Sequence, residues 1–499
     1  MQSVGYLALK RAYGLSDIPH HVTSYIVQGA RRTVDNQEFY PPVYQPEDSL
    51  AGHLEFALKY EGINLTILSK LFHVVEEAEL TAYVLSRPTG INTRRIWFLY
   101  EFLTGRQLAI SDLQSTCGYV DVLDADDYVT RPGKRLPCYR VRNNLLGTRN
   151  FCPVVRRTEH LQQCSWEALR DAAEAVVCAY DAETVSRAIN YLYTKETRSS
   201  FAIEHETPSA SKMERFGQAL QSVQSYPVLD KQALLDLQSI VLDEKAAASD
   251  YRIEQNYVGE TLGRREIVHF ISLRPEDVPA MMDGLLEFCA DCTEIDPVVA
   301  AAVASFGFVF IHPFDDGNGR IHRFMIHHFL ANRGVTPRGT IFPVSATMLN
   351  NMHDYDACLE SFSHSIMPLI KYRMNEDFSL DVLNETADLY RYFDATRMCE
   401  YLYDCIRKTI DSELKEELET LSAFARARTA LDAAFDLPEK KKNLLLKLCW
   451  QGRGTLSANK RAAHFKDYSD DEISAMVEVI APFFRPDSAS GDESGLATE

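Results

Sequence analysis

The stretch Ile311–Arg323, with the sequence IHPFDDGNGRIHR, separates two apolar segments and decides how this chain is interpreted. The segment before it, Pro297–Phe310, contains no charged residue, and the segment after it, Phe324–Leu330, is also mostly apolar. Polar groups brought to the edge of a core are costly unless they are paired or bound to a ligand. We therefore expect this loop to be the functional centre of the protein.

Several residues of the loop suit the binding of phosphate groups. Gly317, Asn318 and Gly319 permit a tight turn with several backbone N–H groups pointing one way, and such a turn at the start of a helix binds anions. Arg320 and Arg323 are three residues apart, so on a helix they share one face. Both guanidinium groups would then reach phosphate oxygens beside the glycine turn.

The remaining polar residues add a metal ligand and a base. Asp316 would repel phosphates unless a cation lies between them, and an aspartate together with phosphate oxygens commonly holds Mg²⁺. His312 has an intrinsic pKa near ~6.5, which suits a general base. Phe314 is expected to anchor the loop by packing. A capped turn with surface charges would explain each residue singly, but it does not explain their combination.

The composition describes an ordinary globular protein. The chain has 499 residues, of which 46% are hydrophobic and 25% charged, with a formal net charge of −19. That charge disfavours general binding to nucleic acids or anionic membranes, although a local basic patch could escape it. No apolar run of about 18 residues and no signal peptide is visible. The eleven scattered cysteines suit reduced thiols, so we expect a cytoplasmic protein without membrane contact.

The helical and strand patterns predict a mainly α, multidomain chain. We expect an N-terminal extension over residues 1–155, a catalytic domain over 156–375, a helical module over 376–485 and a disordered tail over 486–499. A hairpin is expected at about 255–272. Further helices are expected from Asp181 or Thr184 to Lys195, over Ile366–Glu376 and over Asp381–Glu419.

The central stretch resembles the signature of the Fic family, His-x-Phe-x-(Asp/Glu)-Gly-Asn-Gly-Arg-x-x-Arg, at every fixed position. The resemblance covers about residues 160–375 and implies a small helical domain with a hairpin flap. It implies transfer of AMP from ATP to a Ser, Thr or Tyr hydroxyl of a target protein docked on the flap. The implied roles are general base for His312, Mg²⁺ ligand for Asp316, and nucleotide binding for the residues Phe314, Gly317, Asn318, Gly319, Arg320 and Arg323.

Two positions depart from or extend the resemblance. Many family members carry a histidine seven positions before the catalytic one, where this chain has Ser305. Tyr355 lies in a region that lines the adenine pocket in the family, but ordinary packing explains a tyrosine there equally well.

A second resemblance concerns regulation. Ser200–Glu204 is similar to the family's inhibitory helix, (Ser/Thr)-x-x-x-Glu-(Gly/Asn), with His205 in place of glycine or asparagine. The resemblance implies that Glu204 pairs with Arg323 and occupies the position of the γ-phosphate. In some relatives this glutamate also supports removal of AMP. The segment Ala57–Gly62 also ends in Glu-Gly but lacks the Ser or Thr, and we interpret it as a helix end.

Other functions stay open at this point. A related phosphotransferase version has Ala-Asn-Lys-Arg in place of Gly-Asn-Gly-Arg and lacks the second arginine, so Gly319 and Arg323 argue against it. Residues 440–466 are locally basic and could form a helix-turn-helix or winged-helix module, which leaves a DNA-binding regulator with a nucleotide-sensing domain as an alternative. Self-modification and a homo-oligomer are also compatible with the sequence.

Overall fold

Helices make up most of the chain in the computed structural model, which describes residues 1–15, 18–226, 228–242, 247–263 and 265–485. The mainly α fold class is thereby confirmed. The expected tail, 486–499, lies outside the described residues. The helices that are described are all too short or too polar to cross a membrane. The cysteines within these ranges are free thiols.

The N-terminal extension joins its helices through two small sheets. The sequence pattern indicated short strands only for residues 112–151, where β5, β6 and β7 lie, and did not predict the first sheet. Strands β1, β2, β4 and β3 lie in that order in one sheet, and β5, β7 and β6 in another. The elements are β1 (Gln2–Ser3), α1 (Gly5–Ala12), β2 (Thr23–Ile26), β3 (Arg32–Val34), β4 (Gln37–Tyr40), α2 (Leu50–Phe56), α3 (Leu65–Val74), α4 (Glu77–Ser86), α5 (Ile91–Thr104), β5 (Val120–Asp121), β6 (Lys134–Leu136) and β7 (Val141–Asn143).

The helix starts and ends that the sequence indicated in this extension are found in the structure. Ser49 caps α2 by accepting a hydrogen bond from the Gly52 amide at 3.1 Å. Gly105 ends α5 in the left-handed conformation, at φ 68°. The Glu-Gly segment that resembles an inhibitory motif is a π-turn, Ala57–Glu61, and it ends at Gly62 with φ 81°. The interpretation of this segment as a helix end is therefore confirmed.

The middle of the chain is a helical bundle with one hairpin. Strands β8 and β9 pair antiparallel from Tyr257 opposite Ile271 to Leu262 opposite Arg265, which confirms the hairpin expected at about 255–272. The elements are α6 (Glu159–Gln162), α7 (Trp166–Cys178), α8 (Ala182–Ile203), α9 (Ala210–Gln221), α10 (Lys231–Val241), β8 (Tyr257–Leu262), β9 (Arg265–Ile271), α11 (Val278–Ala290), α12 (Pro297–Ile311), α13 (Asn318–Asn332), α14 (Val344–Asn350) and α15 (Met352–Ile366).

Helix α12 is the central element of this bundle. Asp296 caps its first turn through the amides of Val298 and Val299, and Pro297 occupies its first position. The helix is apolar on all sides, and such a helix is stable only inside a core. Almost all of its side chains are buried accordingly. Because α13 packs against α12, the loop between them is held at the end of the bundle core.

Helix α8 is longer than expected, because it continues past Lys195 to Ile203. The polar run after Lys195 looks like a helix end, but tertiary contacts satisfy it. The buried carboxylate of Glu196 accepts a hydrogen bond from the Ser345 amide at 2.8 Å and lies 2.7 Å from Nε2 of His327. The inhibitory segment expected from the sequence is thus the last turn of a long, anchored helix.

The helix expected over Ile366–Glu376 is wrong, and the helix expected over Asp381–Glu419 is confirmed only from Thr396 onward. The first region contains a 3-10 turn and strand β10 (Tyr372–Met374), and the second contains β11 (Leu380–Val382), α16 (Ala387–Arg391), α17 (Thr396–Lys408), a π-turn (Thr409–Leu414) and α18 (Lys415–Ala434). Strands β10 and β11 pair around a turn in which Asp377 accepts a hydrogen bond from the Ser379 amide at 3.0 Å. Bonds of this kind compete with helix formation.

The C-terminal module consists of α18 with α19 (Glu439–Gln451), α20 (Ala458–His464) and α21 (Asp470–Ile480) around its own apolar cluster. Its basic side chains are partly compensated within the module. Lys442 bonds Asp432 and Glu439, Lys441 lies 3.4 Å from Asp467, and Arg461 lies 2.9 Å from Asp470. DNA contact through this module stays a prediction.

Three clusters of buried apolar side chains are seen within the described ranges besides a small one near the N-terminus. One lies in the N-terminal extension and includes Tyr392, one follows the bundle from Val129 to Leu418, and one lies between Ala427 and Phe484. The bundle cluster thus continues beyond residue 375, into α17 and the π-turn. The exact domain limits stay a prediction.

Candidate active site

The loop between α12 and α13 is held by its own side chains. Asn318 accepts a hydrogen bond from the Phe314 amide at 3.0 Å and donates one to the Phe314 carbonyl at 2.7 Å. The Asn256 side chain, just before β8, donates to the same carbonyl at 3.3 Å. The Phe314 ring is fully buried and packs against Tyr251 and Phe308. Phe314 is therefore an anchor of the loop.

His312 is positioned as a neutral base. Its backbone has φ 55° and ψ 61°, a left-handed conformation that costs a non-glycine residue about 1–2 kcal/mol and ends α12. Nδ1 lies 3.1 Å from the Val309 carbonyl, which only accepts, so Nδ1 carries the proton and the lone pair is on Nε2. Burial lowers the pKa of His312 to about 4, and the charge of Arg252 acts in the same direction. The imidazole is thus unprotonated at neutral pH.

The glycine turn leads directly into α13. Gly317 has φ 92°, which glycine adopts without strain, and no side chain of a described residue caps the helix N-terminus. The first backbone N–H groups of α13 are therefore left for an anionic ligand. A Cβ atom at Gly319 would lie 2.0 Å from Oε1 of Glu204. Gly319 is thus required for the close approach of the inhibitory segment.

Asp316 lies at the exposed side of the loop. Its side chain is 67% exposed, and Oδ1 accepts hydrogen bonds from the Gly317 amide at 2.5 Å and from Arg320 at 2.8 Å. A single accessible carboxylate beside an anion-binding turn fits Mg²⁺, which prefers to keep waters and to share its site with substrate phosphates. The residues present therefore fit the metal that the sequence implies.

Arg323 is completely buried and is occupied by the end of α8. Nε donates to the Ser200 hydroxyl at 2.9 Å, and Nη2 donates to the Ser200 carbonyl at 2.7 Å and to Glu204 at 2.8 Å. Burial acts to raise the pKa of Glu204, but the charge of Arg323 outweighs it, so this pKa lies below its ordinary value. The carboxylate is therefore held in its ionised form by the arginine expected to bind the γ-phosphate.

A second glutamate, which the sequence patterns did not single out, occupies the other arginine. Nη1 of Arg320 bonds Glu206 and the Val241 carbonyl, and the guanidinium lies over the Phe201 ring. Glu206 is also bonded to Lys212 at 2.8 Å. Both phosphate-type arginines of the loop are thus neutralised by carboxylates from one segment.

His205 separates the two glutamates. It has φ 55° and follows Glu204, the C-cap residue of α8. His205 therefore occupies the left-handed position where helices usually end with glycine or asparagine. This explains physically why the family pattern places Gly or Asn there. In this chain the Glu204 contact forms with histidine at that position.

Glu206→Gln is expected to raise the affinity for ATP about 5-fold. The substitution removes the negative charge that pairs with Arg320, and because the Glu206 side chain is 29% exposed we assign about 1 kcal/mol to the pair. ATP binding by calorimetry measures the effect. The matched control is Glu183→Gln, which removes an exposed carboxylate at the other end of α8 and should leave the affinity for ATP unchanged. Equal affinities of the Glu206 variant and the unmodified protein would contradict the role of Glu206.

Tyr355 lies near the arginines but inside the core. It is 4% exposed, its ring stacks at 6.3 Å from that of His322, and burial raises the pKa of its hydroxyl to about 12 against the effect of Arg323. His322 donates from Nδ1 to the Ser305 carbonyl at 2.8 Å. Because that bond uses the backbone, it does not depend on the serine side chain at position 305.

The structure therefore brings the residues expected in the site together around one loop. His312, Asp316, the glycine turn and both arginines lie on it or directly after it, and Ser200 and Glu204 reach it from α8. The residues that sequence reasoning missed are Glu206, Arg252, Asn256 and Glu196. Glu206 could have been found from the sequence, because it lies only two residues after the inhibitory Glu204.

Comparisons with known proteins centre on the same part of the chain. The sequence model of the Fic/DOC family matches residues 228–330. The chain is 31% identical over 101 residues to Protein adenylyltransferase Fic of Nematostella vectensis, covering 20% of this chain and 22% of that protein. It is 27% identical over 178 residues to Protein adenylyltransferase fic-1 of Caenorhabditis elegans, covering 35% of this chain and 30% of that protein. The matches span less than a third of either relative.

Solved structures with some likeness include a Fic family protein from Desulfovibrio desulfuricans G20, with a TM-score of 0.37, 18% identity, and coverage of 61% of this chain and 87% of that one. A Fic domain containing signaling protein from Bacteroides thetaiotaomicron has a TM-score of 0.36, 19% identity, and coverage of 50% and 96%.

Proposed function

We propose that this chain is a protein adenylyltransferase of the Fic family, because residues 228–330 match the sequence model of that family. It moves AMP from ATP to a Ser, Thr or Tyr hydroxyl of a target protein and releases diphosphate. The observation that carries this proposal is the neutral His312 with its lone pair on Nε2, placed four residues before a metal-type carboxylate and an anion-binding helix start. The relatives named adenylyltransferases support it.

The proposed chemistry follows from the protonation of His312. Nε2 takes the proton from the target hydroxyl while the hydroxyl oxygen attacks the α-phosphorus of ATP. The bond between that phosphorus and the bridging oxygen to the β-phosphate breaks, and diphosphate leaves. A positioned base contributes about 10²–10⁴ to the rate of such a step.

The other loop residues bind ATP in this proposal. The N–H groups at Gly317–Gly319 and the arginines Arg320 and Arg323 hold its phosphates, and Tyr355 lies beside the arginines at the expected nucleotide pocket. Asp316 would hold Mg²⁺ together with phosphate oxygens, and the cation would offset the negative charge of the leaving diphosphate. Arg320 donates a hydrogen bond to the carboxylate of Asp316 in the structure, so binding of ATP would exchange partners within the loop.

The target is proposed to dock on the flap. Strands β8 and β9 form a two-stranded sheet, so their outer edges have no partner strand among the described residues. An extended target segment adds to such an edge by backbone hydrogen bonds. The base of the flap is tied to the loop through Asn256 and the Phe314 carbonyl, and this contact supports docking of the target segment beside His312.

Regulation by α8 completes the proposal. Glu204 holds Arg323 and excludes the productive pose of the γ-phosphate, so the chain is autoinhibited. Removal of AMP by the same site, self-modification and a homo-oligomer are compatible with this arrangement. A cytoplasmic location belongs to the same proposal.

Transfer of label from ATP tests the reaction class. The protein is incubated with a host lysate and Mg²⁺, once with ATP labelled at the α-phosphate and once with ATP labelled at the γ-phosphate. AMP transfer labels protein bands from the α-position only. Label from the γ-position on bands that disappear with His312→Ala would instead indicate phosphoryl transfer by this site and would overturn the proposal. Addition of a chelator should abolish labelling if the cation is required.

A further inference from the structure

Arg252 is a buried cation that lies shortly before strand β8. Its side chain is 4% exposed, and no salt bridge to it occurs in the part of the chain that is described. Burial lowers its pKa to about 10, which still leaves the guanidinium charged at neutral pH. A buried charge of this kind is retained only where its hydrogen bonds are fully used.

The acceptors of Arg252 are the backbone carbonyls that surround His312. Nε donates to the His312 carbonyl at 2.7 Å, and Nη2 lies 3.4 Å from the Ile311 carbonyl and also bonds Leu273. Nη1 donates to the Glu254 carbonyl at 2.8 Å, and the Arg252 amide donates to the Pro313 carbonyl at 2.9 Å. The bonds thus reach three consecutive residues of the loop and both ends of the flap.

These contacts stabilise the backbone conformation of the loop. His312 has a left-handed backbone that its side chain disfavours, and the last carbonyls of α12 have no intrahelical partner. The guanidinium satisfies two of these carbonyls at the negative end of the helix dipole. It also connects them to Glu254 and Leu273, which flank the hairpin. The base and the docking element therefore share one rigid connection.

We propose that Arg252 is the positioning residue of this site, which fixes the backbone of His312 and sets the distance between the base and the flap. The inference rests on the proposed AMP transfer. Displacement of a reacting group by about 1 Å can reduce a rate 10²-fold. Arg252 does not touch the residues expected to hold ATP, so the effect should appear in kcat and not in the KM for ATP.

Substitution of Arg252 by glutamine or by lysine separates its role in positioning the backbone from the effect of its positive charge. In the Glu204→Gly background, Arg252→Gln is expected to reduce kcat about 10- to 100-fold, with the KM for ATP within about 2-fold. Arg252→Lys keeps the charge but cannot reach all the carbonyls, so kcat should fall less. The matched control is Arg274→Gln, which removes an arginine at the flap base that pairs with Asp277 and Glu385. Its kcat should stay within about 2-fold.

The pH dependence of kcat shows whether substitution of Arg252 acts on the reaction through His312. The charged groups that face this histidine are Arg252, Glu204 and Asp316. The base works when neutral, and Arg252 disfavours its protonated form. Loss of the cation therefore raises the pKa of His312, and the acid limb of kcat should move to higher pH in Arg252→Gln and stay in place in Arg252→Lys. A merely structural defect would lower kcat without moving the limb.

A measurement without turnover keeps this inference separate from the proposed function. Modification of His312 by diethyl pyrocarbonate, followed by mass spectrometry across pH, reports its titration directly. A midpoint that rises in Arg252→Gln supports the inference even if no AMP transfer is found. Unchanged kcat, pH limb and midpoint in Arg252→Gln would overturn it while leaving AMP transfer intact. If Arg252→Gln fails to fold, a kcat for Arg252→Lys equal to that of the background would overturn it.

Discussion

Glu204→Gly is expected to raise AMP transfer about 10- to 100-fold, because a charge-assisted hydrogen bond contributes about 1.5–3 kcal/mol. The substitution frees Arg323 for the γ-phosphate. The Glu204 side chain is 36% exposed, so screening by solvent places the expected effect toward the lower end of this range. Glycine is tolerated here because Glu204 follows the last residue of α8 as its C-cap and is not part of the helix interior. Labelling from α-labelled ATP measures the change.

Two further variants identify the cause of the increase. Glu204→Gln keeps the size of the side chain and removes its charge, so it should also be activated. Glu183→Gln, at the first turn of α8, should leave the labelling unchanged. Equal labelling of the unmodified protein and Glu204→Gly would show that Glu204 does not inhibit.

His312→Ala is expected to reduce AMP transfer about 10²- to 10⁴-fold, the contribution typical of a general base. The loss is measured in the Glu204→Gly background, where the rate of the reference protein is highest. Affinity for ATP should change little, since His312 acts on the hydroxyl of the target. The control His464→Ala removes an exposed histidine in the C-terminal module and should leave the rate unchanged. Full activity of His312→Ala would exclude this residue as the base.

The helices and strands expected from the sequence agree best with the structure where one strong sequence pattern determined them. Pro297 and Asp296 mark the start of α12, its apolar composition marks its burial, and the glycine turn marks its end. Prediction failed where local patterns were ambiguous. The turn at Asp377 and Ser379 separates two short strands where helical spacing was read, and the run after Lys195 looked like an end although buried partners extend the helix.

The sequence by itself determined the chemistry of the central loop, because a base, a carboxylate, an anion-binding turn and two arginines occur there at fixed local spacing. Neighbours on one helix and its preceding loop stay neighbours in almost any fold. The resemblance of Ser200–Glu204 to an inhibitory helix already implied that Glu204 pairs with Arg323. Only the tertiary structure identified the other partners: Glu206 reaches Arg320 from more than 100 residues away, and Arg252 reaches the His312 carbonyl across 60 residues. Such long-range partners depend on how helices pack, which no local pattern contains.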